Sequence, residues 1–287
     1  MDIFFYAGLA ATGFGAGLLG ALLGLGGGVF VVPALVLIFG LPPLTAIGTS
    51  NVAVVATSTA GASTYVRSRL TNIRLALILL ISTTIAALIS SLVASWLPVQ
   101  LLSGLFAIVL FYTAVTMLRS NKPQSAPTLE GYAKESIGEK LGLESSYYDP
   151  ASGTTVEYTP RKIRTGMGIS ALAGVVAGLL GIGGGIVQTP VMNLLMRVPL
   201  KVSAGTSNFM IGITATSAAV VRFAHGDINP LIAVPTTLFV FFGARLGAWL
   251  VPRTKSSQLK VIFGWVAIVI AILMLLQAVG IYTPPKR

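Results

Sequence analysis

Three features predict that this chain is an all-α polytopic membrane protein made of two homologous halves. They are long apolar runs, a sequence repeat at a constant spacing, and a glycine cluster that interrupts one apolar run in each half. Of its 287 residues, 54% are hydrophobic and only 9% are charged, whereas soluble domains carry about 25% charged residues. Apolar runs cover, for example, residues 73–96 and 101–118. Each run is close in length to the roughly 20 residues that a helix needs to cross a bilayer.

An internal repeat defines the two halves. Gly24-Leu-Gly-Gly-Gly28 recurs as Gly181-Ile-Gly-Gly-Gly185, and Gly48-Thr-Ser-Asn51 recurs as Gly205-Thr-Ser-Asn208, in both cases 157 positions later. The same offset relates three further pairs: Pro33 and Pro190, Pro42 and Pro199, and Asn72 and Asn229. So many matches in one register indicate a duplication, which is common among transporters.

The repeat divides the chain into a first membrane repeat (1–119), a polar insert (120–162) and a second membrane repeat (163–287). The insert carries six of the eight acidic residues: Glu130, Glu135, Glu139, Glu144, Asp149 and Glu157. We predict a short helix over residues 131–143. Because Asp149-Pro-Ala-Ser-Gly153 is typical of a turn, we also predict a small hairpin, flanked by Tyr147, Val156 and Tyr158. We expect the insert to be exposed to water in the cytoplasm.

Each glycine cluster interrupts a helix. The flanking arms cover residues 12–23 and 29–39 in the first half, and residues 168–180 and 186–196 in the second. At 1.5 Å per residue, each arm would reach roughly 16–20 Å, a little over half of the bilayer core. Each pair of arms is therefore either a single broken crossing or a re-entrant hairpin with its glycines near the midplane.

The distribution of Lys and Arg favours re-entrant hairpins. With three further crossings per half, 15 basic residues face the cytoplasm and three face outside, against 13 and five for single broken crossings. The first count obeys the positive-inside rule better. It places Arg69 inside, Arg222 and Arg287 outside, and His225 and Asp227 in a solvated outer loop. Three crossings is an odd number, so the halves would be inverted repeats. The predicted crossings are residues 44–66, 73–96, 101–118, 201–224, 231–251 and 259–281, and the hairpins are residues 12–39 and 168–196.

The glycine breaks form the candidate substrate site. The helix after each break offers free N–H donors and about half a positive charge at its N-terminus, which suits an anion without any Lys or Arg. The Thr-Ser-Asn runs add side-chain donors about one turn into the next crossing, although such residues also join helices to one another. Gln188, whose counterpart is Val31, either breaks the symmetry of this site or forms a buried hydrogen bond. The candidate substrate-binding residues are Gly26, Gly27, Gly28, Thr49, Ser50, Asn51, Gly183, Gly184, Gly185, Gln188, Thr206, Ser207 and Asn208.

Residue types that are missing exclude several functions. Outside the insert the only acids are Asp2 and Asp227, so no predicted span has a carboxylate for a cation or a proton. The sequence has no cysteine, P-loop, metal-ligand cluster or nucleophile–base pair. It therefore predicts no catalytic residue, metal or cofactor, and argues against an enzyme. The net charge of +11 comes mainly from basic residues at helix ends, as membrane topology requires, so we expect no nucleic-acid partner. The expected partners are a small anion and the lipid bilayer, and a homodimer is left open.

The pattern Gly17-x6-Gly24-Leu-Gly-Gly-Gly28-x4-Pro33, followed by Gly48-Thr-Ser-Asn51 and repeated in the second half, resembles the sulfite exporter TauE/SafE family of membrane proteins. The resemblance covers nearly the whole chain except the insert. It implies export of sulfite or small organosulfonates by a multi-pass protein of the bacterial inner membrane, with the matching Gly, Ser, Thr and Asn positions near the substrate path. Two alternatives remain: a passive anion channel built from the same helix ends, and a non-transport scaffold that acts through the insert.

Overall fold

The structure, a computed structural model, describes residues 3–119, 141–149, 153–254 and 256–279. In these residues it has ten α-helices and one β-hairpin. The first half contains α1 (Ile3–Leu23), α2 (Gly28–Leu37), α3 (Pro43–Arg67), α4 (Ile73–Val93) and α5 (Val99–Arg119). The second half contains α6 (Ile163–Leu180), α7 (Gly185–Pro190), α8 (Leu200–Ala224), α9 (Pro230–Leu250) and α10 (Ser256–Ala278). A π-helical turn, Val191–Leu195, extends α7, and short 3-10 turns, Ala94–Trp96 and Val251–Arg253, end α4 and α9.

The helices have the length and surface of a multi-pass membrane protein. Four helices of the described chain are long and apolar enough to cross a membrane: Ile3–Leu23, Ile73–Ala94, Ile163–Leu180 and Pro230–Leu250. One face of α4 carries exposed Leu77, Ile81, Ile85, Leu88 and Leu92, which are 43–63% exposed. A continuous apolar face of this kind suits lipid rather than water. All six predicted crossings are helices, and their ends differ from the predicted ends by at most three residues.

Both glycine-broken segments fold back on themselves. Phe39, which follows α2, packs its ring against the ring of Phe5 near the start of α1, with the ring centroids 5.4 Å apart. In the second half, Met196 takes the matching place: a Cβ built on Gly166, near the start of α6, would lie 2.7 Å from the Met196 Sδ. A helix that continued through the break would carry Phe39 away from Phe5. The geometry is therefore that of two hairpins and not of two broken crossings.

The prediction that each hairpin has two half-length arms is wrong for the first arm. α1 has 21 residues and α6 has 18, which corresponds to lengths of about 32 and 27 Å. Only the second arm is short, since α2 has ten residues. The hairpins begin at Ile3 and Ile163 rather than at residues 12 and 168. The reason is that no proline interrupts these upstream stretches, so the helices extend through them.

The helices α3 and α8, which carry the Thr-Ser-Asn runs, are antiparallel. Gly48 near the start of α3 lies against the backbone of Asp227, in the loop after α8. Gly205 near the start of α8 lies against the backbone of Leu70, in the loop after α3. We call the end of the molecule with the α3–α4 loop the basic side, because this loop contains Arg69, and we call the other end the opposite side.

Close glycine contacts hold the remaining helices of the two halves together. A Cβ built on Gly17 of α1 would lie 2.1 Å from the carbonyl oxygen of Val240 in α9. A Cβ built on Gly178 of α6 would lie 2.2 Å from the carbonyl oxygen of Ala87 in α4. Since real Cβ atoms essentially never come this close, only glycine permits these helix pairs to approach as they do.

The predicted hairpin of the insert is confirmed. Strands β1 (Ser145–Asp149) and β2 (Thr154–Tyr158) pair antiparallel, with Tyr147 opposite Val156. The predicted helix over residues 131–143 falls almost entirely outside the described residues. The hairpin lies on the basic side, because Asp149 contacts Lys201 at the start of α8.

Candidate functional site

The two glycine breaks pack directly against each other. A Cβ built on Gly28 would lie 2.7 Å from the carbonyl oxygen of Gly181, and one built on Gly185 would lie 2.7 Å from that of Gly24. Gly26 and Gly183 are both packed against the same two side chains, those of Val54 in α3 and Ile211 in α8. The structure thus brings the predicted glycines of both halves to one place, where α3 and α8 meet.

Left-handed backbone makes the sharp turn at each break. Gly27 and Gly184 precede α2 and α7 with φ angles of 70° and 79°, a region that residues with a Cβ rarely adopt. Neither helix has a side-chain cap at its N-terminus. In α2 the N–H groups of Gly28 and Phe30 donate to the carbonyl oxygens of Gly26 and Gly27, at 2.8 and 2.9 Å, so backbone of the break rather than a side chain accepts from the first turn.

The serines of the Thr-Ser-Asn runs join the halves crosswise. Ser50 donates a hydrogen bond of 2.7 Å to the carbonyl oxygen of Gly181, and Ser207 donates one of 2.9 Å to the carbonyl oxygen of Gly24. Thr189 donates a further bond of 3.1 Å to Gly24. These bonds satisfy backbone carbonyls that the breaks would leave unpaired. Both serines already have an acceptor, so the crosswise bonds give them a structural role.

The two asparagines differ from the serines, because neither amide makes a hydrogen bond of regular geometry; Asn208 does interact with the hydroxyl of the neighbouring Tyr65. Asn51 and Asn208 are 0% exposed, and in the described structure neither the nitrogen nor the oxygen of either amide makes such a hydrogen bond. Asn208 lies at the contact of α8 with α3, where a Cβ built on Gly61 would be 2.8 Å from its Nδ2 atom. Buried polar groups without a partner are rare in proteins, because each costs about 1–3 kcal/mol.

The other predicted side chains are buried but are not all alike. Thr49 resembles the asparagines, because its hydroxyl is buried and has no partner among the described residues. Thr206 accepts a hydrogen bond of 3.0 Å from the backbone N–H of Asn72, which suggests a structural role. Gln188 donates to Ser170 at 2.9 Å, so it forms the buried pair that was one of its two predicted roles, although its oxygen atom has no partner.

Sequence reasoning placed Arg222 on the outside and Asp227 in a solvated outer loop, but it did not predict the ion pair that they form. Arg222 is 0% exposed, and it donates to Asp227 at 3.0 Å and to the carbonyl oxygen of Ser91 at 3.1 Å. Its counterpart in the first half is Tyr65, which is also buried and donates to the carbonyl oxygen of Ala21. The available signal was the acid five residues after the arginine, since an arginine in an apolar helix is stable only when it is paired.

Comparisons with known proteins agree with this architecture. The family described as Sulfite exporter TauE/SafE matches residues 9–274. The chain is 26% identical over 278 residues to the "Probable membrane transporter protein YunE" of Bacillus subtilis, covering 94% of this chain and 97% of that protein. It is 23% identical over 283 residues to the "Probable membrane transporter protein MJ0441" of Methanocaldococcus jannaschii, covering 93% and 94%. It is 35% identical over 79 residues to "Sulfite exporter TauE/SafE family protein 6" of Arabidopsis thaliana, covering 28% and 18%. No solved structure matches the chain.

Proposed function

The chain belongs to the sulfite exporter TauE/SafE family of membrane transporters, and from this premise we propose that it exports a small anion, sulfite or an organosulfonate, across a bacterial cytoplasmic membrane. Membership of this family shows that the chain is a multi-pass membrane protein. The substrate, the direction and the residues that bind the substrate are the proposal.

The pair of buried asparagines is the observation that carries this proposal. Asn51 and Asn208 occupy the same position in the two halves, and both amides are buried without a hydrogen bond of regular geometry, although the Tyr65 hydroxyl interacts with Asn208. An Asn amide can donate two hydrogen bonds. A bound oxyanion would accept these bonds and remove the cost of burying unpartnered groups. The repetition of this unusual feature in both halves favours a binding role over a chance defect in packing.

The charges around the breaks favour an anion over a cation. Outside the insert the acids of the sequence are Asp2 and Asp227, and Asp227 is paired with Arg222. The helix α2 begins at the break without a side-chain cap, so no charged side chain offsets the partial positive charge of its N-terminus there. A cation at this place would meet this positive end and no carboxylate.

We propose that the two halves are inverted repeats in the membrane, with the basic side in the cytoplasm. The antiparallel course of α3 and α8 supports this orientation, and so does the concentration of Lys and Arg at one end. Each fold-back hairpin then returns toward the side of the membrane on which its first helix begins. An inverted repeat around a central site permits alternating access, in which one half rocks against the other.

A flux assay tests the proposal. Purified protein in liposomes should transport sulfite or methanesulfonate with saturable kinetics, each anion should compete with the other, and the double variant Asn51→Ala/Asn208→Ala should transport more slowly at low substrate concentration. Saturable transport of a cation that is not inhibited by oxyanions would contradict the proposal. Anion flux that does not saturate would favour a channel, and folded protein without any flux would favour a scaffold.

A further inference from the structure

A cavity lies on the basic side, between the membrane helices and the hairpin of the insert. Its volume is about 310 Å³, and it is lined by Arg67, Ser68, Arg69, Leu70, Tyr147, Tyr148 and Lys201. We propose that this cavity is a second anion site, which captures a small oxyanion before it reaches the paired asparagines. The path to the asparagines depends on the proposed function, but the binding of an anion in the cavity does not.

The charge of the cavity is positive. Arg67 and Arg69 are exposed, and within the described residues neither makes an ion pair. Lys201 is 2% exposed, and its Nζ lies 2.8 Å from Asp149 Oδ1. Among the described residues, the carboxylate in contact with the cavity lining is thus engaged by the buried lysine, which leaves the charge of two guanidinium groups. Each guanidinium presents a fork of N–H donors that matches the oxygens of a sulfur or phosphorus oxyanion.

The wall that holds the two arginines is rigid. Leu70 donates its backbone N–H to the carbonyl oxygen of Tyr65 at 2.9 Å, and Arg69 donates to that of Val66 at 3.1 Å. Leu70 also lies against Gly205 of α8. Arg69 has a φ angle of 54°, which is uncommon for a residue with a Cβ. The loop therefore holds Arg69 beside the cavity in a fixed, sparsely populated backbone conformation.

The opposite wall comes from the insert and offers neutral donors. Burial raises the pKa of Tyr147, and the nearby carboxylate of Asp149 raises it further, so its phenol keeps the proton that it could donate. The hairpin is anchored to the α3–α4 loop, because Tyr158 accepts a hydrogen bond of 3.3 Å from Asn72 and the carbonyl of Leu143 accepts one of 3.0 Å. The insert thus completes a cavity that the membrane helices alone would leave open.

The cavity lies close to the proposed substrate site. Lys201 is seven residues before Asn208 in the same helix, a distance of about 10 Å along the helix axis. Asn72, which anchors the hairpin, also donates its backbone N–H to Thr206 at 3.0 Å. The cavity and the amide of Asn208 are thus separated by about two turns of one helix.

The size of the cavity sets the class of anion. A water molecule occupies about 30 Å³ in the liquid, so 310 Å³ accommodates one oxyanion with part of its hydration shell, or a sulfonate with a short alkyl chain. The rings of Tyr147 and Tyr148 and the side chain of Leu70 give such a chain an apolar surface.

Binding of sulfite to the purified full-length protein tests this inference. The variant Arg67→Gln/Arg69→Gln should bind sulfite about 5- to 25-fold more weakly. The upper value corresponds to the free energy of one exposed ion pair lost at each arginine. The control is Arg197→Gln, because Arg197 is also exposed on the basic side, also has a positive φ angle, of 56°, and does not line the cavity. The control should bind within about twofold of the wild type. Arg67→Lys/Arg69→Lys retains the charge and should keep most of the affinity.

The two proposals fail in different ways. If Arg67→Gln/Arg69→Gln binds sulfite as tightly as Arg197→Gln does, or if the lysine variant is as weak as the glutamine variant, the cavity is not an electrostatic anion site. If Arg67→Gln/Arg69→Gln binds sulfite more weakly and Asn51→Ala/Asn208→Ala binds it normally, the anion site in the cavity is supported and the site at the paired asparagines is excluded. Flux measured from the basic side adds a second readout, since loss of capture should raise KM for sulfite and leave the maximal rate unchanged.

Discussion

At the scale of single residues, glycine determines whether the breaks can form. Gly184 has a φ angle of 79°, and a Cβ at this position would lie 2.9 Å from the carbonyl oxygen of Ala173. Both the backbone conformation and the space around it exclude a side chain. Gly168 is a useful contrast, because it lies within α6 and a Cβ built there meets nothing within 4 Å.

We expect Gly184→Ala to destabilise the protein by about 1–2 kcal/mol, the cost of a left-handed backbone at a residue with a Cβ. Gly168→Ala should be neutral or stabilise the protein by up to about 1 kcal/mol, since alanine is the better helix former. Thermal unfolding of both variants in the same detergent measures the difference. Equal stability of the two variants would mean that the break is not held in the conformation described.

The roles of the Thr-Ser-Asn residues could be predicted only in part from the sequence. The repeat at an offset of 157 identified Ser50, Asn51 and their counterparts, because a duplicated motif can be found from the sequence alone. It could not show that Ser50 bonds to Gly181 whereas Asn51 has no partner. These contacts depend on which backbone atoms the other half brings close, and adjacent residues on a helix face different neighbours.

At the scale of helices, the length of α1 was the clearest error. The interruption at the glycines is a strong local signal, but residues 3–11 were left out of the first arm although they contain no proline. The six crossings were predicted more accurately, because Pro43 and Pro230 fall at the first turn of a helix, where proline is favoured. Asn72 and Asn229, matched by the repeat without an assigned role, are the N-caps of α4 and α9.

The contact of α1 with α9 gives a test at this scale. Leucine at Gly17 would place its Cβ on the backbone of Val240, whereas a Cβ built on Gly15 of the same helix meets nothing within 4 Å. We expect Gly17→Leu to lose at least about 1–3 kcal/mol through overpacking and to elute as aggregate in size-exclusion chromatography. Gly15→Leu should elute as the wild type does. A monodisperse Gly17→Leu variant of unchanged stability would contradict the helix pairing.

At the scale of the whole molecule, the distribution of charge predicted the inverted course of the two halves. The same count did not reveal that Arg222 is buried, because it treats every basic residue as exposed and cannot detect a buried ion pair. Arg222 is therefore a poor reporter of topology. Exposed positions are Arg197, on the basic side with Arg69, and His225, in the loop after α8 on the opposite side.

Labelling of single cysteines tests the membrane orientation, and the chain has no native cysteine to interfere. In intact cells, a membrane-impermeant maleimide should label His225→Cys, whereas Arg69→Cys and Arg197→Cys should react only after the membrane is opened. Labelling of Arg69→Cys and His225→Cys from the same side would exclude the inverted arrangement. Labelling of both basic-side positions from outside would reverse the orientation but keep the inversion.

The central claim is that each half supplies one asparagine to a shared anion site, and titration of sulfite into purified variants tests it most directly. Asn51→Ala and Asn208→Ala should each weaken affinity about 2- to 12-fold, the loss of one hydrogen bond. The thermal stability of Asn51→Ala should not fall, because its amide has no partner to lose, whereas Asn208→Ala also removes the contact with the Tyr65 hydroxyl and should lose slightly more. The control is Asn229→Ala, in which the bonded cap of α9 on the opposite side is removed. It should lose about 0.5–2 kcal/mol of stability and keep its affinity for sulfite. If both Asn51→Ala and Asn208→Ala instead lose stability and bind sulfite normally, the asparagines join helices and the shared site does not exist.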